Sequence, residues 1–94
     1  MSHATVRIPT PLRSFTGGAD ELRVDGRTVG EAMAELGRAH AGLLERILDA
    51  RGELRPFVRL FVGEDDVRHL DGLDTAVAEG AVICIVPAVA GGRP

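Results

Sequence analysis

The chain has no lysine, no tryptophan and no tyrosine, and it has a single cysteine in 94 residues. Arginine supplies all 11 side chains of the Lys and Arg class, so no side-chain amine is available for a Schiff base or for isopeptide attachment. One cysteine excludes an internal disulfide and any site built from several thiolates. A net charge of −3 with only three aromatic residues disfavours nucleic-acid binding, which needs a basic stripe and stacking rings.

Long hydrophobic runs are also missing. No stretch approaches the roughly 20 apolar residues that a membrane-spanning helix requires, and the first residues lack the basic and apolar segments of a secretory signal. We therefore expect a cytoplasmic protein that makes no membrane contact. A chain of 94 residues accommodates one domain with a modest core and little space for a deep cofactor pocket.

No group of residues has the spacing of an active site or a metal site. The three histidines are too scattered for a ligand set, and the acids of residues 64–79 lack the ligand order of a calcium loop. Cys84 lies inside an apolar run, where a small half-buried residue is a simpler interpretation than a nucleophile. We expect no bound metal and no bound cofactor.

Alternating apolar and polar residues predict two strands near the start of the chain, at residues 4–8 and 21–25. Pro9 ends the first strand because proline has no amide hydrogen for the ladder. A loop through residue 18 follows, and the two strands are expected to form a hairpin. The apolar positions of the two strands are Val6, Ile8, Leu22 and Val24.

The period then changes to that of a helix. Thr28 and Glu31 fit a capping box, and apolar residues recur at helical spacing from Val29 to His40. Gly37 is expected to weaken the last turn. A second short helix is predicted around residues 43–48 because of its cluster of leucine and isoleucine.

Three further strands are predicted in the second half of the chain. Residues 57–62 form one, residues 67–70 a short edge strand, and residues 81–86 a central strand that is apolar on both sides. In the central strand we place Ile83 and Ile85 inward. The residues expected on the outer face of the sheet are Arg59, Phe61, Cys84 and Val86. The element order indicates an α+β arrangement with a helix across one face of a small sheet.

The last seven residues have no pattern, and they contain the pair Gly91-Gly92. A glycine pair has no side chains, so it can enter a narrow channel and present a carboxylate to a partner. The five residues 88–92 reach at most about 17 Å when extended. A frayed terminus is the alternative that the pattern leaves open.

The element order and the ending at residues 85–92 resemble the ubiquitin-like sulfur carriers of the MoaD/ThiS family. Residues 6–13, 57–62 and 66–68 resemble most closely the CysO type, which serves cysteine biosynthesis in actinobacteria. The resemblance implies a ubiquitin-like β-grasp fold, with a mixed sheet of four or five strands and one main helix across it. It divides the chain into a β-grasp domain at residues 1–87 and a flexible tail at residues 88–94.

The resemblance also implies a carrier that partner enzymes act on, not an enzyme. An E1-like enzyme that consumes ATP would adenylate the carboxylate of Gly92, which would become a thiocarboxylate and donate its sulfur to an acceptor biosynthetic enzyme. The alternatives are the small subunit of molybdopterin synthase and a modifier that is conjugated to lysines of other proteins. The residues implied to thread the active sites of the partners are Ala88, Val89, Ala90 and Gly91.

The chain departs from the family pattern by continuing with Arg93 and Pro94 after the second glycine. The resemblance suggests cleavage between Gly92 and Arg93 by a JAMM-type zinc metallopeptidase, whereas a cloning remnant is the alternative. A docking surface for partners is expected on the outer face of the sheet, where an exposed apolar patch would lead to the tail. Its residues are Arg59, Phe61, Cys84 and Val86.

Overall fold

A computed structural model of the chain describes residues 3–87, and the predictions for residues 88–94 lie outside the described part. Within it, five strands form one mixed sheet in the order β2-β1-β5-β3-β4. The central pair β1–β5 is parallel, and the other pairs are antiparallel. The regular elements are β1 His3–Arg7, β2 Glu21–Asp25, α1 Val29–Ala39, α2 Ala41–Ile47, β3 Val58–Val62, β4 Asp65–Asp66 and β5 Ala81–Pro87, with 3₁₀ helices at Thr10–Thr16, Val67–His69 and Gly72–Asp74.

The core lies between the inner face of the sheet and the two helices. Alternate residues of β1, β3 and β5 are buried there, as the period of two requires. Met33 and Leu36 of α1 and Ile47 of α2 close the core from the other side and are buried. The predicted α+β arrangement and the predicted central position of β5 are therefore confirmed. The fully buried sheet residues include Val6, Leu60 and Ile83.

The start of α1 follows the predicted capping pattern in part. The hydroxyl oxygen of Thr28 accepts a hydrogen bond from the amide of Glu31 at 3.1 Å. The carboxylate of Glu31 reaches back one residue further than a capping box predicts, because it accepts from the amide of Arg27 at 2.8 Å. Both bonds satisfy donors at a helix start that have no partner in the helix itself.

Helix α1 continues through Gly37 to Ala39, so the last turn is formed although glycine has a low helix propensity. A side-chain carbon at Gly37 would overlap the side chain of Leu44 in α2. Glycine at this position therefore lets the two helices lie close together without a shift of Leu44. His40, which we expected on the helical face, ends α1 instead, and its amide donates to the carbonyl of Leu36 at 2.9 Å.

Two other segments differ from the predictions. The expected loop after Pro9 contains the 3₁₀ helix Thr10–Thr16, in which Leu12 is buried. The expected edge strand at residues 67–70 is the 3₁₀ helix Val67–His69, which begins where the carboxylate of Asp66 accepts from the amide of Arg68 at 2.9 Å. The edge strand is instead β4, two residues long. No helix within residues 3–87 is long and apolar enough to cross a membrane.

Candidate functional site

The residues predicted for partner docking meet on the outer face of the sheet, the face opposite the helices. In the antiparallel pair β3–β5, Arg59 lies opposite Val86 and Phe61 lies opposite Cys84. Directly opposed residues share a face, with Cβ atoms about 4.5–5.5 Å apart. These four residues therefore form one continuous surface, which we call the outer-face cluster.

Exposure distinguishes the two faces of β5. The side chains of Ile83 and Ile85 are buried, as predicted, whereas Val86 is 42% exposed and Cys84 is half-buried. Val82, which is 37% exposed, extends the same outer strip toward the start of the strand. Apolar residues that are open to solvent at alternate positions of a central strand agree with the predicted docking surface, which stays a prediction.

Charged side chains flank the outer-face cluster on both sides. Arg7 lies next to Cys84 through the parallel pairing of β1 with β5, and Asp66 lies opposite Phe61. The guanidinium of Arg7 is 3.7 Å from the carboxylate of Glu21. An apolar centre with a charged rim is typical of a protein-binding surface. The pairing of strands places a guanidinium and a phenyl ring beside Cys84, and neither group is a base that could activate its thiol. The geometry therefore supports binding and does not supply a nucleophile.

The described residues gather no metal site. Across residues 3–87, no three side chains of His, Cys, Asp or Glu lie close enough together to hold a metal ion. His3 instead pairs with two carboxylates on the outer face, Asp25 at 3.0 Å and Glu79 at 3.3 Å. The backbone amide of His3 donates a hydrogen bond to Glu79, and this bond lowers the pKa of that carboxyl below its usual value. These contacts join β1, β2 and the turn before β5.

The outer-face cluster adjoins the point where the predicted tail begins. Pro87 is the last residue of β5 and lies opposite Val58, and its neighbour Val86 belongs to the cluster. The tail itself stays a prediction, since it falls outside the described residues. The predicted site residues in that part of the chain are Ala88, Val89, Ala90, Gly91, Gly92 and Arg93.

Sequence reasoning missed a second surface at the same end of β5. A groove of 510 Å³ opens on the helix side, and two phenylalanines, two arginines and Pro87 line it. Its walls come from the 3₁₀ helix Thr10–Thr16, from α2 and from the start of β3, and the 3₁₀ helix is distant in sequence from the other two. The one signal in the sequence was Phe57, a large apolar residue that does not share the face of its predicted strand that packs against the helices. In the structure Phe57 is 57% exposed.

Residues 6–92 match a family model described as the ThiS family. Over 92 residues the chain is 42% identical to the sulfur carrier protein CysO of Mycobacterium tuberculosis, which covers 96% of this chain and 99% of that protein. The crystal structure of Mycobacterium tuberculosis CysO matches with a TM-score of 0.86 at 41% identity, over 92% of this chain and 99% of that chain.

Two other relatives extend the comparison. A chain of the Amycolatopsis orientalis BexX/CysO complex matches with a TM-score of 0.88 at 39% identity, over 95% of this chain and 99% of that chain. Small archaeal modifier protein 3 of Haloferax volcanii is 37% identical over 68 residues, 72% of this chain and 73% of that protein. The matches of structure confirm the predicted ubiquitin-like β-grasp fold.

Proposed function

The chain belongs to the ThiS family, and from that premise we propose that it carries sulfur as a thiocarboxylate on Gly92. The observation that carries the proposal is the extent of the similarity, because 42% identity to a sulfur carrier protein spans nearly the whole of both chains. The family match ends at residue 92, which is the second glycine of the pair. In this role the chain is a co-substrate, and the catalytic groups belong to its partners.

The chemistry would begin with ATP. The carboxylate of Gly92 attacks the α-phosphorus, pyrophosphate leaves, and a mixed anhydride with AMP remains at the chain terminus. A sulfide equivalent then displaces AMP and leaves a thiocarboxylate, whose sulfur an acceptor enzyme takes for the synthesis of cysteine or another metabolite. ATP is consumed by the activating enzyme and is not a bound cofactor of this chain. A cytoplasmic location would give the carrier access to that ATP.

The outer-face cluster would dock the E1-like activating enzyme. Phe61 and Val86 supply apolar area, and Arg59 supplies a charge at the edge of that area. Residues 88–91 would then pass through the active site of the enzyme and place Gly92 at the nucleotide. The presence of a related CysO chain in a complex with BexX supports a function through protein partners.

Activation requires that Gly92 carry the terminal carboxylate, so Arg93 and Pro94 would have to be removed first. The ring of proline fixes its backbone and adds bulk, which a channel shaped for glycine would reject. We assign the cleavage between Gly92 and Arg93 to a JAMM-type zinc metallopeptidase. The test is intact mass of the protein from its native source. A chain that keeps Arg93 and Pro94 and is still adenylated would contradict the processing step.

Conjugation to other proteins is the second candidate function. The similarity to an archaeal modifier protein favours it, and the same activated Gly92 would serve both functions. The absence of lysine means that this chain could be attached to lysines of other proteins but could not form lysine-linked chains with itself. Isolation of the tagged chain under denaturing conditions distinguishes the two functions. Glycyl-lysine linkages in the peptides indicate a modifier, and exchange of one oxygen for sulfur at Gly92 indicates a carrier.

A further inference from the structure

The groove at the end of β5 and the outer-face cluster lie on opposite faces of the same strand end. Pro87 lines the groove on the helix side, and Val86 faces the outer side. Successive residues of a strand point to opposite faces. The chain therefore continues beyond residue 87 from a point that has an exposed apolar surface on each side.

Two aromatic rings form the walls of the groove. Phe15 lies against α2, where Gly42 leaves room for it, since a Cβ at Gly42 would be 3.0 Å from the Cδ1 atom of Phe15. The guanidinium carbon of Arg46 lies 5.2 Å from the centroid of the Phe15 ring, within the range of a cation–π contact. Phe57 also lines the groove and is the most exposed large hydrophobic residue in the described part of the chain.

The rim of the groove is positively charged, although the whole chain has a net charge of −3. Arg46 and Arg55 line it, together with a single acid, Glu45. The Nε atom of Arg55 donates to the backbone carbonyl of Glu45 at 2.8 Å, which holds that guanidinium at the rim. A segment that combines an apolar side chain with a carboxylate would complement this surface in shape and in charge.

We propose that the groove binds an acidic and apolar segment of the E1-like activating enzyme, with the apolar side chain against Phe15 and Phe57 and the carboxylate beside Arg46 and Arg55. This inference rests on the proposed function. An enzyme that encloses residues 88–92 has to surround the strand end from which they leave. Contact with both faces of the strand end would fix the direction in which residues 88–92 enter the enzyme.

The test is ATP–pyrophosphate exchange by the activating enzyme with increasing concentrations of the carrier that ends at Gly92. We expect Phe57→Ser to raise the KM for the carrier about tenfold, as for an aromatic residue in an interface. The kcat at saturating carrier is expected to stay within about twofold, because docking contributes equally to the ground state and the transition state. Leu70→Ser is the matched control, since Leu70 is 46% exposed and lines neither surface.

Charge complementarity is tested separately with Arg46→Glu. We expect this variant to raise the KM for the carrier about tenfold at low salt and less at high salt, because salt screens an attraction between exposed charges. Arg38→Glu makes the same change of charge on α1, outside the groove, and is expected to leave the KM unchanged. Circular dichroism shows whether each variant folds. If Phe57→Ser does not fold, the KM of Arg46→Glu decides whether the groove binds the enzyme.

A wild-type KM for both folded groove variants would overturn the groove proposal, while exchange by the unsubstituted chain would leave the sulfur-carrier proposal standing. No exchange by the unsubstituted chain that ends at Gly92 would overturn both. A KM raised by Phe57→Ser and by Arg46→Glu, but by neither control, is the result that the proposal predicts.

Discussion

The two faces of β5 are built from alternate residues of one apolar run, yet only one face is covered. Ile83 and Ile85 are buried beneath the helices, whereas Val82 and Val86 on the other face remain more than a third exposed. An inner residue contributes to folding by burial, and an outer residue of the same type contributes little to it. The difference teaches that the inner face serves stability, and we assign the outer face to binding. The two roles can be separated by single substitutions.

The largest effect is expected from Ile85→Ala. The side chain of Ile85 is 3% exposed, so its removal leaves a cavity beneath α1 and α2 and is expected to lower the free energy of unfolding by about 2–5 kcal/mol. Denaturant unfolding measures the change. Val86→Ala, one residue further on the outer face, is the control and is expected to change it by only about 0.5 kcal/mol. Equal losses of unfolding free energy for the two variants would contradict the assignment of stability to the inner face alone.

The next effect concerns binding and not stability. Phe61→Thr removes the ring from the outer-face cluster, and threonine keeps a high preference for strands without adding a charge opposite Asp66. We expect kcat/KM for the carrier in ATP–pyrophosphate exchange to fall about tenfold to hundredfold. Normal exchange by the folded variant would remove the outer-face cluster from the docking surface.

A smaller effect on stability is expected at the start of α1, the helix that covers the inner face. Thr28→Ala removes the acceptor of the bond from the amide of Glu31, which is expected to cost about 1 kcal/mol of unfolding free energy. Thr28→Ser keeps the hydroxyl and serves as the control. We expect the carrier activity of Thr28→Ala to equal that of the parent while its unfolding free energy falls. This result would show that the inner side of the sheet can lose stability without a loss of binding at the outer face.

The smallest effect is expected at the charged end of the outer face. Hydrogen bonds and charge from His3 lower the pKa of Glu79 below its ordinary value of 4.5. A carboxyl whose pKa is lowered on folding adds stability above its unfolded pKa, and this stability is lost as the pH falls through the folded pKa. Glu79→Gln is therefore expected to reduce stability at neutral pH, and the difference from the parent is expected to disappear in acid. Chemical unfolding at a series of pH values measures it. A difference that persists below the folded pKa would contradict the account.

Alternation made most of the sheet predictable from the sequence. It gives the direction of each side chain within a strand, so the sidedness of Phe61, Cys84 and Val86 followed once β3 and β5 were identified. These three residues and Arg59 then meet because the two strands are neighbours in the sheet. Only their register had to come from the structure.

The parts that were not predicted have physical reasons. The 3₁₀ helix Thr10–Thr16 has no amphipathic period that distinguishes it from a loop. The strand β4 consists of two aspartates, which rarely form strands and are paired here by the hairpin geometry of β3 and β4. Phe15 lines one groove with Arg46 and Phe57 although it is distant from both in sequence, so only the tertiary structure brings them together.

The most direct test of the account is intact mass after incubation of the chain ending at Gly92 with ATP, the E1-like enzyme and a sulfide source. We predict an increase that corresponds to the exchange of one oxygen for sulfur, located at Gly92 by fragmentation, and no change in the chain that keeps Arg93 and Pro94. An unchanged mass for the trimmed chain, with an enzyme that is active on its own carrier, would contradict the assignment of Gly92 as the site of sulfur transfer.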